Sequence, residues 1–200
     1  MNDLIYFLGV QIFSLPDIDN EAIIKNIKWQ DAVCAHQNAE GDHSHFGLHG
    51  GWDVGTPAQE EAQKLKNNIQ KILAKSYEAE IDNDDYWIHV VKPQEDTIPH
   101  DHGPEGLSFC YYLNSPEDSG DFEFNHDCPN YKFHYKFKPR VGELFVFPSY
   151  LQHQASANES NENRYSFAGN ARSETYKLQE QEAFMTHSRL HVPPLFGYGF

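Results

Sequence analysis

Residues 121–149, DFEFNHDCPNYKFHYKFKPRVGELFVFPS, decide the fold class. In 121–125 and 132–138 polar and aromatic residues alternate with period 2, which sends every second side chain to one face of a strand. In 143–149 the run is continuously apolar, as in a strand buried on both faces, and 126–131 reads as a turn holding a structural His126. Seven of the fourteen phenylalanines fall between residues 109 and 147, so the core is expected there. Outward from this block, 86-YWIHVVK-92, 106-GLSFCYYLN-114 and 164-RYSFAGNA-171 are strand-like, and the acidic run 82-DNDD-85 reads as a turn. His89 reads as a packed or exposed strand residue rather than a ligand.

The N-terminal half supplies the support. The first fifteen residues read as a strand stopped at Pro16, followed by a short helix capped by Asp17 or Asp19 with an Ile23, Ile24, Ile27 stripe. Residues 31–55 lose periodicity and read as a long loop, in which His43, His45 and His49 are polar loop residues rather than a second metal site. Gly50-Gly51-Trp52 within it suits a lid or simple packing. Thr56-Pro57-Ala58-Gln59 then reads as a capping box opening a helix to about Tyr77, with Leu65, Ile69, Ile72 and Leu73 on its apolar face. Two helices and about eight short strands describe a mostly β chain, an antiparallel double-sheet jelly roll with helices on one face. A single domain over 1–200 is expected: core 86–171, helical support 17–78, and a C-terminal arm 172–200 that either straps the domain or reaches a second subunit to form a homodimer.

Composition excludes several functions. Fifteen basic against thirty acidic residues give a net charge of −15, which opposes nucleic-acid phosphates and anionic membranes. Three cysteines without paired spacing argue against a disulfide framework and for a reducing, cytoplasmic setting. The apolar run Leu4 to Val10 is too short to span a bilayer and lacks a basic flank, so a soluble, non-secreted protein is expected.

The chemistry enters at Pro99-His100-Asp101-His102. Histidines at i and i+2 on extended backbone point to the same side about 6–7 Å apart, so both imidazoles reach one ion while Asp101 faces away. His153 follows the buried strand, and Arg164-Tyr165-Ser166 opens the last one. Non-haem Fe(II) oxygenases need three protein ligands on one face of the metal, and His100, His102 and His153 could be that set. A 2-oxo acid co-substrate would need a fixed cation for its distal carboxylate; Arg164 suits this, with Ser166 adding a hydroxyl.

The order His100-x-His102, 109-FCYYLN-114, Gly120-Asp121-Phe122, 139-PRVGELFVFP-148, His153 and Arg164-x-Ser166 resembles the 2-oxoglutarate/Fe(II)-dependent dioxygenases, whose core is a double-stranded β-helix. The prolyl-hydroxylase-like branch is nearest, above all its small bacterial and phage members, and 50-GGW-52 looks like a feature of that group. The likeness runs from about residue 50 to 171. It implies that His100 and His153 are iron ligands, that Arg164 binds the distal carboxylate of 2-oxoglutarate, and that Tyr112 hydrogen-bonds the same carboxylate. The family pattern has Asp or Glu where this chain has His102, so either three histidines hold the metal or a neighbouring carboxylate, Asp101 or Glu105, substitutes. The implied reaction consumes O2 and 2-oxoglutarate, releases succinate and CO2, and hydroxylates a C–H bond of a peptide, prolyl or small-molecule substrate. Two alternatives stand beside it: a three-histidine cupin-like metalloprotein that does not use 2-oxoglutarate, and a non-catalytic jelly-roll binding or structural module.

Overall fold

The computed structural model describes residues 9–25, 27, 42–44, 57–128 and 131–173. Among the described residues nine strands form two antiparallel sheets. The larger contains β1 (Gln11–Ser14), β7 (Glu143–Pro148), β4 (Leu107–Asn114), β9 (Arg164–Arg172), β3 (Glu80–Val91) and β2 (Asp42–Ser44), in that order across the sheet. The smaller contains β6 (Tyr131–Phe137), β5 (Phe122–Cys128) and β8 (Gln152–Ala155). This is the jelly-roll class expected of the sequence.

The larger sheet is buried on both faces, and alternation along each strand sorts its side chains. On β4, Phe109, Tyr111 and Leu113 face one way, with Leu144 and Val146 of β7, Ile88 of β3 and Phe167 of β9. Helix α1 (Asn20–Lys25) and helix α2 (Pro57–Tyr77) cover this outer face. The α2 stripe is Ala58, Ala62, Leu65, Ile69 and Leu73, a helical repeat of fully buried residues. Burying each of the larger ones contributes about 1.5–3 kcal/mol. Asp19 is the cap of α1, its carboxylate accepting from the backbone N–H of Ala22 at 3.0 Å.

The inner face carries Cys110 and Tyr112 of β4 with Phe145 and Phe147 of β7, packed against Phe122 and Phe124 of the smaller sheet. Arg164, Ser166, Ala168 and Asn170 of β9 line the same face, since Tyr112 pairs with Ser166, Cys110 with Ala168 and Ser108 with Asn170. Trp87, His89 and Val91 of β3 extend these rows, opposite Ala168, Ser166 and Arg164.

Three expectations need correction. The acidic run at 82–85 is strand, not turn: β3 starts at Glu80 and passes through it with a register shift between Ile81 and Tyr86. Residues 42–44, read as loop, pair with Val90, His89 and Ile88 as β2, so strand interrupts the helical support. The turn at 126–131 is shorter than expected, because the β5–β6 ladder runs as far as Cys128 opposite Tyr131. The N-terminal strand enters the sheet as expected, β1 pairing with β7. The rest of the 31–55 loop, with Gly50-Gly51-Trp52, and the 174–200 part of the arm lie outside the described residues. Among those that are described, no helix is long and apolar enough to cross a membrane.

Candidate metal and co-substrate site

Strand β8 positions His153. Its neighbour on one side is β5, where Phe124 is its register partner. On the other side His100 and His153 form an isolated antiparallel bridge, exchanging N–H···O bonds of 3.0 and 2.8 Å. The two residues are therefore a directly opposed pair whose side chains share one face. Two further bonds tie the segment down: Thr97 N–H to Ala155 O at 3.0 Å and His102 N–H to Ser149 O at 2.8 Å. Asp101 turns away, exposed, accepting from Gly103 N–H at 2.9 Å across a turn in which Gly103 has φ +97°.

His100, His102 and His153 consequently converge. One nitrogen from each ring lies within 4.8 Å of the others. Ring centroids are separated by 4.5 Å (His100–His153), 5.1 Å (His102–His153) and 5.3 Å (His100–His102). Phe147, Phe122 and Phe124 wall His153 at 4.7, 5.7 and 6.3 Å. Burial in this aromatic pocket holds the His153 imidazole well below its usual pKa, and the fields of His100 and His102 push the same way. It stays neutral, the form that ligates a metal.

Two of the rings have their tautomer set by local backbone. His100 Nδ1 lies 2.8 Å from Ile98 O, and His153 Nδ1 lies 2.9 Å from Leu151 O. A carbonyl only accepts, so each Nδ1 carries the proton and each Nε2 keeps the lone pair a metal needs. The donor set therefore fits a first-row divalent ion such as Fe(II).

Arg164 is 2% exposed. Its Nη1 donates to Ser119 O at 2.6 Å, while Nη2 is buried with no acceptor among the described residues. A buried guanidinium with one unsatisfied N–H edge is costly unless an anion meets it, which fits a co-substrate carboxylate. Tyr112 and Ser166 sit beside it as a register pair on the inner face. Burial raises the Tyr112 phenol well above its ordinary pKa, so it remains a neutral donor.

Sequence reading missed several neighbours of these groups. Cys110 is buried, hydrogen-bonds Ser166 and Tyr112, and has its thiol pushed up to about 11 by burial. Trp87 stacks on His102 at 5.5 Å. Asn170 Nδ2 lies 3.4 Å from His102 Nδ1 and 2.7 Å from Asp85 Oδ2. His89 faces inward and adds to the field at His153, outside the three-histidine cluster.

Comparison with known proteins agrees with this geometry. Residues 85–170 match the model of a family described as "Putative 2OG-Fe(II) oxygenase". No curated protein matches the sequence. In structure the chain is similar to a prolyl hydroxylase from Trichoplax adhaerens solved with a hypoxia-inducible-factor peptide fragment (TM-score 0.60, 13% identity, covering 88% of this chain and 89% of that one). A Pseudomonas putida prolyl-4-hydroxylase gives TM-score 0.55 at 14% identity, covering 85% and 95%. An oxidoreductase of the 2OG-Fe(II) oxygenase family from Burkholderia pseudomallei gives TM-score 0.55 at 14% identity, covering 84% and 87%. The family match covers residues 85–170, less than half of the chain, and over most of the chain the likeness is one of fold, to prolyl-hydroxylase-like structures. The description of the matched family names Fe(II) and 2-oxoglutarate, and the three-histidine cluster is a donor set that Fe(II) would fit.

Proposed function

We propose that this protein is a 2-oxoglutarate-dependent oxygenase that hydroxylates an unactivated C–H bond, with Fe(II) held by His100, His102 and His153 and 2-oxoglutarate anchored by Arg164, Ser166 and Tyr112. The observation that carries the reading is the pairing of a three-histidine cluster with a buried Arg164 whose Nη2 has no acceptor among the described residues. A cupin-like metalloprotein without 2-oxoglutarate would not need that guanidinium, and a structural module would need neither feature. Three neutral imidazoles leave both charges of the metal uncompensated, which favours a dianionic co-substrate more strongly than a site with a carboxylate ligand. The iron, when bound, supplies the activation of O2; the chain binds and orients 2-oxoglutarate and keeps water from the aromatic pocket around His153. A peptidyl or prolyl side chain is the favoured substrate class, on likeness to the prolyl hydroxylases; small molecules are the second class to screen.

The test is an anaerobic titration of Fe(II)-loaded protein with 2-oxoglutarate, followed by the visible charge-transfer band and then by succinate release on admitting O2. Saturable growth of the band with succinate formation supports the reading. Iron binding without the band leaves the cupin-like alternative, and no iron binding leaves the structural one.

A further inference from the structure

His102 differs from the other two histidines in what its Nδ1 meets. His100 and His153 each direct Nδ1 at a carbonyl, but His102 Nδ1 faces the side-chain amide of Asn170 at 3.4 Å. That amide is oriented by two other partners. Its Nδ2 donates to Asp85 Oδ2 at 2.7 Å, and its Oδ1 accepts from Ser108 Oγ at 2.7 Å. Ser108 Oγ is in turn 3.0 Å from Ser149 Oγ. Turning the amide over would set Oδ1 against the Asp85 carboxylate, two acceptors facing each other, so the NH2 end is the one that meets His102. A donor at Nδ1 favours a lone pair there and leaves the proton of the neutral ring on Nε2. Nδ1 is engaged by Asn170 and one ring face is covered by Trp87, so the nitrogen at issue for an ion is the second one, Nε2. In this tautomer it carries hydrogen instead of the lone pair.

We infer that Asp85, acting through Asn170, selects the Nε2–H tautomer of His102 and so makes the third histidine a weaker metal ligand than His100 and His153. This rests on the proposed three-histidine iron site. Asp85 and Asn170 are positioning residues: ligation by His102 requires the amide to turn and give up its bond to Asp85. The chain thereby holds one coordination position in reserve, released only when binding of metal and co-substrate compensates that rearrangement. Asp85→Asn removes the conflict, because a carboxamide at 85 donates to a turned Asn170 Oδ1, which then accepts from His102 Nδ1–H while Nδ2 donates to Ser108.

Two measurements on the full chain test this. Long-range 1H–15N NMR of metal-free, histidine-labelled protein reads each tautomer directly. His100 and His153 are expected as Nδ1–H and His102 as Nε2–H in the wild type, with His102 switching to Nδ1–H in Asp85→Asn. Titration with Co(II) alone, followed by its d–d spectrum, is expected to show about tenfold tighter binding in Asp85→Asn, at the low end of the effects typical of groups behind metal ligands. Wild-type His102 already in the Nδ1–H form overturns the inference whatever the variant does. So does an unchanged tautomer in Asp85→Asn, or Co(II) affinity within twofold of wild type. If wild-type protein binds no Co(II), the three-histidine reading fails, while the tautomer spectrum still decides the role of Asp85 and Asn170.

Discussion

The two faces of the six-stranded sheet are built from the same strands and differ in what they bury. The outer face sets Phe109, Tyr111, Leu144, Val146 and Phe167 against Leu65, Ile69 and Leu73 of α2, an apolar contact. The inner face, one residue away along every strand, buries Arg164, Ser166, Cys110 and Tyr112 among phenylalanines. Buried polar groups of this kind destabilise a fold unless each is paired, and the Nη2 edge of Arg164 is not paired within the described chain. The outer face thus supplies stability that the inner face gives up, and under the proposed function the return is recognition of an anion.

The sharpest way to break this contrast is Arg164→Met. Losing one partner of a buried charge pair costs about 2–5 kcal/mol, so 2-oxoglutarate affinity should fall by roughly two to three orders of magnitude while Fe(II) affinity holds. Thermal stability of the ligand-free protein should stay level or rise, since a buried, half-satisfied guanidinium has been removed; calorimetry beside co-substrate titration checks both. Unchanged 2-oxoglutarate affinity would make Arg164 a structural residue and erase the distinction between the faces.

Ile69→Ala is the mirror experiment. It should lower unfolding free energy by about 2–5 kcal/mol in a denaturant titration and leave 2-oxoglutarate affinity within twofold. A smaller effect is expected at Tyr112→Phe, which deletes one donor from the inner face without changing its volume. About 1.5 kcal/mol, roughly tenfold in 2-oxoglutarate affinity, is the expected loss. A purely packing role would instead show as lost stability with affinity retained.

The smallest effect concerns the outside of the smaller sheet, where Glu123 is buried yet fully partnered by Lys136 at 2.6 Å, Gln154 at 2.7 Å and His134 at 2.8 Å. Burial pushes its carboxyl pKa up, but these bonds more than offset that and leave it below 4.5. A depressed folded-state pKa gives stability that is complete above about 4.5 and lost as pH falls through the folded value. Acid titration of wild type should therefore show a loss below that pH that Glu123→Gln lacks, with the variant about 1 kcal/mol less stable at neutral pH.

Much of this was legible in the sequence because alternation alone locates it. His100 and His102 two apart, and Arg164 and Ser166 two apart, declare shared faces without any tertiary information. What escaped needed register. β4, LSFCYYLN, is buried on both sides, so no polar pattern says whether Cys110 or Phe109 looks inward; only pairing with β9 does. Asp85 was hidden in an acidic run whose local signal is a turn, overridden because β3 pairs with β9 on both sides of the run. β8, QHQA, has almost no strand propensity and exists because β5 pairs along one side, with Phe124 opposite His153, while His100 on the other side takes up both the N–H and the C=O of His153.

That last arrangement has a cost if it fails. β8 is an edge strand, and its outward row of peptide groups is occupied by Thr97 and His100, whose segment continues to His102. An uncovered edge is a template on which a second chain adds its own strand. The same few residues that deliver two histidines also cover this edge of the smaller sheet, so damage to the segment should surface as self-association together with loss of the proposed metal site, and a metal held there would act against aggregation by pinning the segment in place.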